Sequence, residues 1–136
     1  MSYERPGRSA DLIADAVLVH GLPHEQSGMS GIVIKQDEPK LLDSLLARTQ
    51  VQVGVKYVLR LKGRTRQKLT DHAGLAGATL GAAVYINGTT DALVLVDGAT
   101  TVPFGRVVAL AGTFGVQTGY IEIDMDLKDA VLNSTP

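Results

Sequence analysis

Between residues 75 and 126 the chain is a succession of short apolar runs: Ala83-Val84-Tyr85-Ile86, Ala92-Leu93-Val94-Leu95-Val96, Gly105-Arg106-Val107-Val108-Ala109-Leu110 and Gly119-Tyr120-Ile121-Glu122-Ile123-Asp124. Each run is closed by turn-forming residues, namely Asn87-Gly88, Asp97-Gly98, Pro103 with Gly105, and the stretch 112–119. Glycine and asparagine tolerate positive φ and proline fixes φ, which is what tight connections need. The region therefore reads as a compact antiparallel β unit.

The whole chain has 136 residues, about the size of one ordinary domain, and its 45% hydrophobic content is enough to close one core. With no Trp and few aromatics, that core must be filled by Val, Leu, Ile and Ala, which suits a thin barrel or sandwich. A net charge of −1 gives no long-range field of one sign and argues against a general nucleic-acid coat. Cysteine is absent, which excludes disulfides, thiolate catalysis and Cys-rich zinc sites. The first eight residues carry no apolar leader pattern, and no run approaches the roughly 20 apolar residues of a membrane helix. A soluble protein made in a cytoplasm is expected, with no membrane partner.

Residues 1–12 read as an N-terminal arm, rich in charge, Pro and Gly, and residues 13–126 as a single β-rich domain. Earlier strand candidates are 14–20, 31–35, 51–55 and 57–61, with 22–30 a polar loop. Between residues 39 and 48, Leu41, Leu42, Leu45 and Leu46 fall at helical spacing behind Asp37, Glu38 and Pro39, and predict one short helix. The small-residue stretch 72–82 reads as a loop with at most one helical turn, and 127–136 as a C-terminal arm carrying Leu127, Val131 and Leu132. The expected fold is mainly β: a small antiparallel β-barrel or sandwich with one short helix and extended terminal arms.

Arg60, Lys62, Arg64, Arg66 and Lys68 alternate, so a continuous strand would show all five on one side. No aromatics interleave for base stacking, which favours an exposed strand face with a bend near Gly63 over a nucleic-acid site. Glu122, Asp124 and Asp126 alternate in the same way. The two stripes can pair within one subunit or across a homo-oligomer interface. Asp124 and Asp126 lack the turn glycine and further ligands of a calcium loop, so no metal is expected there. His20 and His24 lie four apart, but Gly21 and Pro23 break the helix that would align them. Together with His72 they are expected on surface loops. Ser27, Ser30 and Ser44 lack a nucleophile elbow, and the stretch 74–81 lacks the Gly-Lys-Ser/Thr ending of a phosphate loop. Neither enzyme activity nor a cofactor is expected.

Read in order, Asp15-Ala16-Val17-Leu18-Val19, Gly31-Ile32-Val33-Ile34, Val53-Gly54-Val55-Lys56-Tyr57-Val58-Leu59, Leu80-Gly81-Ala82-Ala83-Val84-Tyr85-Ile86-Asn87, Pro103-Phe104-Gly105-Arg106-Val107-Val108-Ala109 and Gly119-Tyr120-Ile121-Glu122-Ile123 resemble the tailed-bacteriophage capsid decoration, or cement, proteins. The similarity covers most of residues 14–124; the segment 35–50 is longer, and 62–68 more basic, than the family pattern. The resemblance implies a β-barrel-like protein on the outside of the virion capsid, often a trimer, that bridges major capsid subunits and performs no catalysis. Interface residues expected on that basis are Tyr3, Arg5, Arg8, the stripes Arg60, Lys62, Arg64, Arg66, Lys68 and Glu122, Asp124, Asp126, and Leu127, Val131 and Leu132. The alternatives are another virion or tail structural protein, or a β-barrel module binding nucleic acid or a small ligand through residues 60–68.

Overall fold

The computed structural model describes residues 8–35, 50–113 and 115–128. The described chain is mainly β, with strands β1 (Ser9–Ile13), β2 (Leu18–Val19), β3 (Pro23–Gln26), β4 (Met29–Ile34), β5 (Gln50–Val51) and β6 (Lys56–Arg60). They are followed by β7 (Arg64–Lys68), β8 (Ala83–Asn87), β9 (Leu93–Val94), β10 (Thr101–Ala109) and β11 (Tyr120–Asp124). One sheet has four strands in the order β1-β6-β4-β3, a second has five in the order β7-β11-β10-β8-β9, and β2 pairs with β5. Every pairing is antiparallel.

Strand β4 explains how the two larger sheets share one body. Its Ser30, Gly31, Ile32 and Val33 are all buried, so the strand has no solvent face. Ile32 packs with Val84, Ile86, Phe104, Ile121 and Ile123 under the five-stranded sheet. Val33 points the other way, to a second cluster with Ala14, Leu18, Val51, Tyr57 and Leu59. Alternation of side chains along a strand sends neighbours to opposite faces, and here both faces are apolar cores. The Ser30 hydroxyl donates to the Pro103 carbonyl at 2.8 Å, adding a polar tie from β4 to β10. Gly31 permits the close approach of β4 to β6, since a Cβ there would lie 2.1 Å from the Arg60 carbonyl oxygen.

Several expectations from the sequence are corrected. Ser9–Ile13 pairs with β6 along its whole length, so a strand begins inside the stretch expected to be an arm. Residues 22–30 are not a loop but the hairpin β3-β4, closed by Ser27 (φ 57°) and Gly28 (φ 83°), the double positive-φ turn that suits strand twist. Pro103 and Gly105 do not end a run: Thr101–Ala109 is one strand whose register shifts between these residues, and a bulge is where a central strand accommodates proline. The Asn87-Gly88 pair is not a two-residue turn either. β8 and β9 are joined by residues 88–92, with the Asn87 side chain accepting from the N–H groups of Thr89 and Thr90. Of the short 3₁₀ turns, Ala73–Leu75 lies in the small-residue stretch, Leu69–Asp71 just before it, and Met125–Leu127 follows β11. The helix expected at 39–48 lies outside the described residues.

Replacing Gly31 by Ala is predicted to lower stability by about 2 to 3 kcal/mol, because the added methyl meets backbone that has no room to move. Gly98→Ala, where a Cβ would meet nothing nearer than the Thr101 methyl at 3.9 Å, is the matched control and is expected to be near neutral. Urea unfolding of the two variants compares them directly.

Candidate functional site

Three surface or near-surface features carry the chemistry, and the first is the charge ladder. Register places Arg64 opposite Asp124, Arg66 opposite Glu122 and Lys68 opposite Tyr120 on β7 and β11. The Arg66 Nε donates to Glu122 Oε1 at 3.0 Å, the Arg64 guanidinium to Glu122 Oε2 at 3.3 Å, and Arg64 Nε lies 3.6 Å from Asp124 Oδ2. The basic and acidic stripes thus meet within one chain. The basic stripe is shorter than a continuous strand would make it. Arg60 belongs to β6, and its guanidinium turns back to donate to the carbonyls of Lys62 and Arg64 across the bend. Asp126 leaves the acidic face to accept the Gly63 N–H at 3.0 Å. Arg8 is exposed, with its carbonyl accepting from Leu61 N–H, and Leu127 is half-buried in the turn after β11. Tyr3, Arg5, Val131 and Leu132 lie outside the described residues.

The second feature is a buried histidine bridge that corrects the expectation of surface-loop histidines. Only His20 fits that expectation: it is exposed and its Nδ1 accepts from Lys35 N–H. His24 is 5% exposed, because β3 turns it inward beside Tyr57, with ring centroids 6.2 Å apart in an edge-on arrangement. Its Nδ1 lies 2.6 Å from Asp91 Oδ2 and its Nε2 lies 3.1 Å from Asp15 Oδ1. Ionised carboxylates only accept hydrogen bonds, so both contacts are satisfied together when both ring nitrogens carry protons and the ring is an imidazolium. Burial draws its pKa down, but the hydrogen bonds and charges of Asp91 and Asp15 outweigh burial, and the net shift is upward. The Asp91 backbone adopts φ +61°, and its other carboxylate oxygen accepts from Glu25 N–H. Beside the bridge, Tyr57 donates to Gln26 Oε1, and Gln26 Nε2 donates to the Ile13 carbonyl at 2.8 Å. Side chains of β3 therefore reach β1, the strand at the opposite edge of the same sheet.

His72 is buried too, but neutral. Its Nδ1 accepts from Leu93 N–H, so Nε2 carries the proton and donates to Gln67 Oε1 at 3.2 Å. The Gln67 amide in turn donates to Thr65 Oγ1 and the Gly21 carbonyl. Burial lowers the His72 pKa, against a smaller upward pull from Asp71. A cavity of about 320 Å³ lies beside His72, lined in part by Leu18, Pro23, Val33, Asp71, His72 and Asp91. Both ring nitrogens of each histidine are occupied by protein partners, so neither ring has a lone pair directed at the cavity. Among the described residues no group of three or more His, Asp or Glu side chains converges as a metal cage.

The third feature is apolar. Ile13, Val17, Val53 and Val55 are 51%, 51%, 61% and 37% exposed. All four sit at one end of the four-stranded sheet, where Ala14 N–H donates to the Val55 carbonyl and Gly54 N–H to the Ala14 carbonyl, joining the loop after β1 to the turn before β6. Sequence reasoning missed this rim because Val17, Val53 and Val55 read as members of strands 14–20 and 51–55, which are in fact shorter. It missed His24 because Pro23-His24-Glu25-Gln26 is too polar to read as a strand; the Ser27-Gly28 pair was the available signal for a hairpin there. Comparison with protein-family models, with curated proteins and with solved structures gives no match.

Two outcomes follow. Glu122→Gln is predicted to cost no more than about 1 kcal/mol in urea unfolding, and less at high salt, because both arginine partners are about half or more exposed. His72, whose folded pKa is depressed, contributes stability that is present above the unfolded value of about 6.5 and is lost as pH falls below it. Relative to His72→Gln, the wild-type urea midpoint should therefore fall between about pH 7 and about pH 5, since the opposite contribution of His24 is common to both proteins.

Proposed function

We propose that this chain is a structural virion protein that binds the outer surface of an assembled tailed-phage capsid and stabilises it by bridging major capsid subunits. The observation that carries the reading is the exposed apolar rim of Ile13, Val17, Val53 and Val55, a surface whose burial against a partner would be favourable. The resemblance supports it, because five of its six segments, at residues 31–34, 53–59, 80–87, 103–109 and 119–123, overlap β4, β6, β8, β10 and β11, while of 15–19 only Leu18–Val19 is strand. In this reading the four-stranded sheet works as a small barrel, with Gln26 and His24 bridging β3 back toward β1. The protein acts as a homo-oligomer, with a trimer the state the resemblance implies, on the capsid exterior after synthesis in the host cytoplasm. It performs no catalysis and needs no cofactor.

The physical logic is linkage: a protein that binds only the mature lattice stabilises that lattice by mass action, and many modest contacts add through multivalency. The charge ladder weighs against the nucleic-acid alternative, since Arg64 and Arg66 already face Glu122 and Asp124. Phosphate binding through Lys68 and what charge remains would be strongly salt-dependent, and rim-driven binding would not.

Co-sedimentation with mature capsids and with unexpanded procapsids, at low and high salt, tests the reading. Saturable, salt-tolerant binding to mature capsids is expected. Val53→Asp should weaken it by about tenfold or more with the β-sheet circular dichroism unchanged. Absence of binding to either particle would reject the role.

A further inference from the structure

We propose that the Asp15–His24–Asp91 bridge is a proton-operated latch: the charged imidazole holds the loop after β1 closed against β3, and loss of its proton releases the Asp15 side first. The inference goes beyond the capsid reading and does not depend on it.

The chemistry of the two contacts gives the order of release. A neutral imidazole keeps one N–H and presents a lone pair on the other nitrogen. Both facing groups are acceptors, so one contact must become acceptor against acceptor once the proton leaves. The Asp91 contact is the shorter at 2.6 Å, and Asp91 is also held by Glu25 N–H and by its own N–H donating to the Asn87 carbonyl. The Asp15 contact is longer, at 3.1 Å, and the Asp15 side chain is 55% exposed, with water ready to replace the imidazole. The remaining proton therefore stays on Nδ1 with Asp91, and the Nε2 lone pair faces Asp15. The loop is then held by the Ala14 backbone bonds to Val55 and Gly54 and by Gln26 on the Ile13 carbonyl. Ile13 and Val17 of the apolar rim flank Asp15, so opening moves them.

The other titratable groups around the ring do not compete for the proton. Tyr57, from β6, is driven well above the ordinary phenol value by burial and then by the charges of Asp15 and Asp91, so it stays a neutral donor to Gln26. The Glu25 carboxylate turns away to accept Gly28 N–H. Because the His24 value is raised in the folded state, the stabilisation is complete below the unfolded value of about 6.5 and is lost as pH rises through the folded one. The latch is closed in mild acid and opens on the alkaline side.

Nuclear magnetic resonance of the full chain tests the latch between about pH 5 and about pH 9. The His24 ring carbon should titrate with a midpoint above about 6.5. Past that midpoint, heteronuclear NOE values at residues 15–17 should fall while those at residues 89–91 hold, reporting fast motion in the first loop alone. In Asp15→Asn the His24 midpoint should shift down, and in His24→Gln the loop should be mobile at every pH. The proposal is overturned if residues 15–17 stay as rigid as β6 on both sides of the midpoint, or if the midpoint is unmoved in Asp15→Asn. If His24→Gln does not fold, the wild-type and Asp15→Asn spectra decide the matter alone.

Discussion

A strand that is buried on both faces can be built only if two separate sets of residues arrive to cover it, and β4 imposes that condition on the whole chain. Its Ile32 requires Phe104, Ile121 and Ile123 from the five-stranded sheet, while Val33 requires Tyr57 and Leu59 from its own. Burial of such side chains contributes roughly 1.5–3 kcal/mol each, so neither cover is dispensable in a domain of this size. The glycine at position 31, the Ser30 tie to β10 and the bulge at Pro103 all serve the same close apposition. Because the partners of Ile32 come from the far end of the sequence, these contacts are non-local, and chains dominated by such contacts fold slowly.

The parts of the architecture legible in the sequence were those where pattern and burial agree. In β11 Ile121 and Ile123 alternate with Tyr120, Glu122 and Asp124, in β8 an apolar run is bounded by Asn87, and each strand forms where its pattern places it. The complementary stripes on β7 and β11 were legible for the same reason, although which of the two pairings they adopt, within the chain or between chains, was not. What stayed hidden depended on tertiary context. The strand Pro23–Gln26 carries no apolar pattern because its inward histidine is paired with two aspartates, one of them 67 residues away, a compensation that no local window contains. The rim residues were misassigned for the converse reason: valine favours strands, but strand propensity does not say which strands stop early.

The two buried histidines show how environment separates identical side chains. His24 faces acceptors on both nitrogens and is held charged; His72 faces one donor and one acceptor and is held neutral. Each arrangement satisfies its ring fully, and among the described residues no buried side-chain polar atom lacks a partner. The His24 contacts tie the loop after β1 and the turn after β8 to β3, and the His72 contacts tie the turn after β7 to β7 and β9.

The edge of the five-stranded sheet has a consequence of a different kind. β7 is an outer strand, and its outward side chains are Arg64, Arg66 and Lys68. If two molecules met edge to edge in antiparallel register centred on Arg66, Arg66 would face its own copy and Arg64 would face Lys68. Glu122 and Asp124, one strand further in, already serve their own arginines. Like charges directly opposite one another disfavour such pairing. The charged edge thereby disfavours growth of a continuous sheet through β7.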